Sequence, residues 1–197
     1  MRRWTLSQYA ISSCVTAALL AGCGSQPPIS APLGLRAGAL PTEREHPPFG
    51  TVFAVTRSGK TIVLHRFGGG PGDGANPYAG LIDVGGTLYG TTTSGGAYDD
   101  GTVFEIAASG AETVLHSFNA SGVFGSIRDG LNPRAGLVNV NGTLYGDTLR
   151  GGATDNGSIF SITPSGTEAL IYSFGPPAGA APAADLLNVN GTLYGTT

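Results

Sequence analysis

Apolar and polar positions alternate in short runs along most of this chain, and the runs end at Gly, Asn or Ser. Between residues 102 and 106, Thr102, Phe104 and Ile106 fall on one face and Val103 and Glu105 on the other, which is the two-residue period of a strand. The apolar runs 79–84, 135–140 and 184–189 lead into Gly85-Gly86, Asn141-Gly142 and Asn190-Gly191. Such dipeptides between apolar runs predict tight hairpins, because a type I′ turn needs positive φ at both central residues. Each turn opens the motif Gly-Thr-Leu-Tyr-Gly, at 86–90, 142–146 and 191–195. A second marker keeps step with it: Gly-Thr-Val-Phe at 50–53 and 101–104, and Gly-Ser-Ile-Phe at 157–160. A Ser-Gly turn then leads to a fourth strand, predicted at 61–67, 113–118 and 169–174. Strict alternation there places Val63, His65 and Phe67 on one side, matched by Val114, His116 and Phe118, then by Leu170, Tyr172 and Phe174.

Four short antiparallel strands in roughly 50 residues, repeated, predict an all-β, β-propeller-like array of four-stranded blades. The second marker recurs after 51 and then 56 residues, so the copies differ in one loop, which follows the fourth strand. Tight turns link residues 79–118 and 135–174 into two complete blades. Two strands remain at the start and two at the end, giving two half blades. Propellers have about four to eight blades, so the expectation is an incomplete or open propeller. Such a chain is either a truncated member or an arc that needs a second copy over its open sheet edges.

Composition fits this picture. Gly supplies 33 of 197 residues and charged residues only 12%. Each Gly in a helix interior costs about 1 kcal/mol relative to Ala, so helices are disfavoured. The first residues read as an address: Arg2 and Arg3, a mostly apolar run over 10–20, then Leu20-Ala21-Gly22-Cys23. The run is too short to span a bilayer, and the tetrapeptide resembles the lipobox of bacterial lipoproteins. That resemblance implies a signal peptide over 1–22, acylation of Cys23, and anchorage at the outer membrane or cell surface, with membrane as a partner through the lipid. Residues 23–48, rich in Pro, Ser, Ala and Gly, read as a tether, and 49–197 as the repeat domain. Cys14 leaves with the peptide, so neither a disulfide nor a thiolate metal site is expected. Without Arg2 and Arg3, eight basic side chains face thirteen acidic ones, and Lys60 is the one lysine. This excludes a nucleic-acid footprint.

Taken together, Gly-Thr-Val-Phe, the Ser-Gly turn, Asp-Gly-x-Asn-Pro, Ala-Gly-Leu and Gly-Thr-Leu-Tyr-Gly-Thr-Thr resemble the GloVer tandem repeats of secreted and surface-anchored bacterial proteins. The resemblance covers 50–197. It implies a propeller-like domain outside the cytoplasm and carries no established activity.

Candidate chemistry gathers in the irregular loops 68–78, 119–134 and 175–183, since variable loops on a repetitive scaffold are where binding usually sits. Asp73, Asn76, Arg128, Asp129, Asn132 and Arg134 are the candidate ligand-contacting residues, and the ligand is expected to be a carbohydrate or a protein. Asp73 and Asp129 are the carboxylates a calcium ion would use. However, calcium takes six to eight oxygens, and neither loop has dense acidic spacing. Both Asp-Gly-x-Asn-Pro segments read as Asx turns, as do the acidic turns at Asp99-Asp100 and Asp155-Asn156. His65 and His116 occupy equivalent positions taken by Tyr172 in the third copy, so they are expected to pack as rings. Tyr89, Tyr145 and Tyr194 are expected to pack blade against blade. No Gly-x-Ser-x-Gly elbow or phosphate loop occurs. The expectation is therefore a binding or scaffold module without catalytic residue, metal or cofactor. The alternatives are a fragment of a larger propeller, or an enzyme acting on surface glycans or lactones.

Overall fold

A computed structural model of the chain describes residues 49–119 and 129–197. The expected signal peptide and tether, Cys23 and Arg128 lie outside the described residues. The described residues are all-β, without a helix.

β1 (Thr51–Val55) and β2 (Thr61–Arg66) form a hairpin. After the two-residue β3 (Gly74–Ala75) come β4 (Ile82–Val84), β5 (Thr87–Thr92), β6 (Ser94–Gly95), β7 (Thr102–Ile106) and β8 (Glu112–Ser117). Strands β4, β5, β7 and β8 make one antiparallel sheet in that order, while β6 pairs back to β3. The next copy repeats this. β9 (Gly130–Leu131) pairs with β12 (Arg150–Gly151). The second sheet runs β10 (Val138–Val140), β11 (Thr143–Thr148), β13 (Ser158–Ile162) and β14 (Glu168–Ser173). A further hairpin, β15 (Leu187–Val189) and β16 (Thr192–Tyr194), follows. Two four-stranded sheets flanked by two half sheets form an open, propeller-like arrangement.

The turn chemistry is as the sequence predicts. Gly85 and Gly86, Asn141 and Gly142, and Asn190 and Gly191 all have positive φ. Each second residue donates its N–H to a side-chain oxygen three residues back, on Asp83, Asn139 or Asn188, at 2.8–2.9 Å.

The two sequence markers turn out to be one contact. Gly90 of the first motif faces Phe104 of the second across β5 and β7, and Gly146 likewise faces Phe160. A Cβ on Gly90 would lie 2.7 Å from the Phe104 ring, and one on Gly146 would lie 2.6 Å from Phe160. These phenylalanines are fully buried.

The core is built at the joints between sheets, as in a propeller. Val52, Phe67, Phe104 and Ile106 form one cluster, with Leu64 and Leu88 against it. Tyr89, Val103, Phe118, Leu137, Leu144, Phe160 and Ile162 form the next, with Leu115 against it. Phe67–Phe104 and Phe118–Phe160 make the same edge contact at 5.1 Å. Tyr89 packs between sheets as expected, whereas Tyr145 is half-buried and Tyr194, on the last hairpin, is 56% exposed.

Strict alternation fails in the fourth strand. Val103 pairs with His116 and Phe104 with Val114, leaving Leu115 as an extra residue. The same bulge stands at Leu64 and at Ile171. It sends Leu64 and Leu115 into the core, while Val63 is 40% exposed.

Candidate functional site

The irregular loops, where described, run into the joints. Gly74 and Ala75 are buried beside Ser94 and Gly95. Asn76, Asn132 and Ala181 all have φ between 54° and 59°. Their N–H groups donate to the carbonyls of Phe49, Asp100 and Asn156 at 2.6–2.9 Å. Asn76 and Asn132 add side-chain bonds to Ser94 Oγ and to the Thr93 carbonyl, at 2.9 and 2.6 Å. Asn and Asp tolerate this left-handed conformation because a short polar side chain can bond locally. Asp99 and Asp155 are turn residues, accepting from the N–H of Gly95 and Gly151 at 2.8 and 2.9 Å. Arg134 lies on the surface, its guanidinium 5.8 Å from the Tyr78 ring centre.

Asp73 and Asp129 do more than shape a turn. Asp73 accepts from the N–H of Gly68 and of Gly74 at 2.6 and 2.7 Å, and its Oδ1 lies 3.1 Å from His65 Nε2. Asp129 accepts from Gly130 N–H at 2.7 Å and meets His116 Nε2 at 2.6 Å. The imidazoles do pack as rings, edge-on to Phe67 and Phe118 at 4.7 and 4.8 Å, and they also pair with a carboxylate. A third group joins each pair from the following sheet: Glu112, the first residue of β8, or Glu168, the first of β14. His65, Asp73 and Glu112 each bring one ligating atom within 4.8 Å of the others, as do His116, Asp129 and Glu168. In both clusters Glu Oε1 is buried without a hydrogen-bond partner. Burial pushes the Glu168 carboxyl up to about 7, with Asp129 adding repulsion and His116 opposing it. Burial also raises Glu112, His65 opposing and Asp73 reinforcing the shift.

The third joint lacks the cluster. Tyr172 replaces the histidine, keeping its ring contact with Phe174 at 5.1 Å, and Ala178 stands before Gly179 where the other copies carry Asp.

Sequence reasoning passed over Glu112, Glu168 and Asp147. The two glutamates recur four residues before His116 and Tyr172, a spacing that was available. Asp147 takes the place of Thr91, whose hydroxyl donates to the Ala135 carbonyl at 3.1 Å. Asp147 is 1% exposed, and neither carboxylate oxygen has a partner. Burial, with the nearby Asp185 carboxylate adding to it, pushes its pKa up to about 7.

No curated protein matches the chain, and no solved structure does. A repeating sheet unit, markers that meet as Gly–Phe pairs, and joints built from successive copies describe a tandem-repeat protein. Residues 42–197 match the sequence profile of the Gloeobacter/Verrucomicrobia repeat, and the chain belongs to that family.

Proposed function

We propose that the chain is a non-catalytic scaffold module outside the cytoplasm, held at the outer membrane or cell surface by acyl groups on Cys23, that joins further copies through its half blades. One observation carries this reading: the two end hairpins are complementary halves of one blade. At one end Phe53 and Val55 are exposed; at the other Ile171, Tyr172, Leu187 and Tyr194 are exposed. A cleft of about 360 Å³ lies beside the last hairpin, lined by Ile159, Tyr172, Phe174, Leu186, Leu193 and Gly195 among others. These match Val103, His116, Phe118, Leu137, Leu144 and Gly146 of the preceding joint. That joint also holds Phe160 and Ile162, whose counterparts in the first hairpin are Phe53 and Val55.

In the register of β5 and β7, β1 of a second copy would pair with β16, Phe53 opposite Gly195 and Thr51 opposite Thr197. The hydroxyl pairs Thr92–Thr102 and Thr148–Ser158, at 2.7 and 2.8 Å, supply the pattern for Thr51 with Thr197. Two copies joined head to tail at both ends close a ring of about six blades, within the range propellers adopt. A carbohydrate or protein ligand would be met at the exposed Tyr78–Arg134 pair, an aromatic face beside a cation.

The test is the mass of the mature chain, purified in detergent and measured by light scattering and native mass spectrometry. A dimer is expected, and Phe53→Glu is expected to give a monomer that keeps its β circular dichroism. A wild-type monomer, or a dimer indifferent to Phe53→Glu, overturns the reading.

A further inference from the structure

We propose that the two His–Asp–Glu clusters are binding sites for divalent transition-metal ions, one at each of the first two joints, each ion clamping one sheet to the next. The donor set is one imidazole nitrogen and two carboxylate oxygens, drawn from His65, Asp73 and Glu112 and again from His116, Asp129 and Glu168. Imidazole and carboxylate together suit zinc and its first-row neighbours. Calcium takes oxygen ligands, so the nitrogen argues against it at these positions.

The geometry is near what such an ion needs. Bonds of about 2.0–2.2 Å in a tetrahedron set ligand atoms roughly 3.4 Å apart. The ligating atoms already lie within 4.8 Å of one another. The glutamate's buried Oε1 has no hydrogen bond to give up on turning toward an ion. The aspartates are held for the task. Gly68 and Gly74 N–H groups fix Asp73, Gly130 N–H fixes Asp129, and Phe67 and Phe118 edges fix the imidazoles. Outer contacts of this kind orient metal ligands. Two carboxylates balance the dication, and three protein ligands leave a fourth position for water.

Recurrence is the independent observation. The cluster occurs at both joints where a following fourth strand supplies glutamate. The third joint has lost both of its own donors, with Tyr172 and Ala178 in their places. The expected stoichiometry is two ions per chain.

The test uses the intact mature chain with Zn²⁺ by calorimetry and with Co²⁺ by visible absorption, where tetrahedral nitrogen–oxygen coordination gives intense bands. Two ions per chain are expected. His65→Gln with Glu112→Gln should leave one, His116→Gln with Glu168→Gln should leave one, and the fourfold variant none. Zn²⁺ should also raise the melting temperature of the wild type and leave that of the fourfold variant unmoved. Should the fourfold variant not fold, Glu112→Gln and Glu168→Gln alone decide, each expected to weaken one site about tenfold or more. Absence of binding, or binding indifferent to these substitutions in folded protein, overturns the proposal.

Discussion

Asp147 shows how one substitution in a repeat changes the energetics of a joint. Where Thr91 donates a hydroxyl proton across to the next copy, an ionised carboxylate has no proton to give. Burial, with the nearby Asp185 carboxylate adding to it, makes the folded state favour protonated Asp147, with a pKa of about 7 against an ordinary 3.8. Between these values the folded chain holds more protons than the unfolded one, so stability falls as pH rises through the window. Below about pH 4 its ionisation costs nothing, and above about 7 that cost is complete. Asp147→Thr should therefore stabilise the protein by about 1–3 kcal/mol at pH 8 and by little at pH 4, read from urea midpoints at the two pH values. An equal gain at both would show that ionisation is not the cause. The substitution itself is visible in the sequence, but its burial is not, because the equivalent position is buried at Thr91 and exposed at Thr196. Asn76 and Asn132 were legible as turn residues. Ala181, at φ 57°, was not, since alanine gives no sign of a left-handed backbone.

At the scale of the element, strands and type I′ hairpins were readable because alternation and Asn-Gly or Gly-Gly report them directly. The pairing of Gly146 with Phe160 was not, although both stood out as repeats, since a motif does not announce its partner. Gly146→Ala should cost about 1–3 kcal/mol through the clash with the Phe160 ring. Phe160→Leu in the same chain should recover part of that loss, a coupling measurable in a double-mutant cycle. Additive effects would mean that the glycine is kept for another reason. The bulge in the fourth strand was also hidden, because an extra residue leaves no mark in composition. Its effect is large. Strict alternation sets Glu112 and His116 on one face, whereas the bulge at Leu115 lets β8 give Glu112 to the preceding joint and His116 to the following one. The histidines were thus readable as packed rings and not as members of a cluster, since their aspartates lie 8 and 13 residues away and their glutamates come from another copy.

For the whole molecule, the array of sheets was legible from its period, and the placement of the irregular loops was not. Variable length pointed to these loops as the place for a ligand, and it gave no sign that Gly74, Ala75 and Gly130 within them are buried in the joints. The proposed anchorage is a separate matter, resting on Leu20-Ala21-Gly22-Cys23. Cys23→Ser should abolish labelling by a fatty-acid probe and move the protein from the membrane fraction to the soluble one. Unchanged fractionation would remove the lipid from the account while leaving the sheets as they are. The two-faced fourth strand bears on how such a gene can grow. Because every copy holds the rear half of one junction and the front half of the next, duplicating a stretch one period long adds a whole junction wherever the stretch begins. Recombination then needs no particular breakpoint, and lineages can lengthen or shorten the array in unit steps.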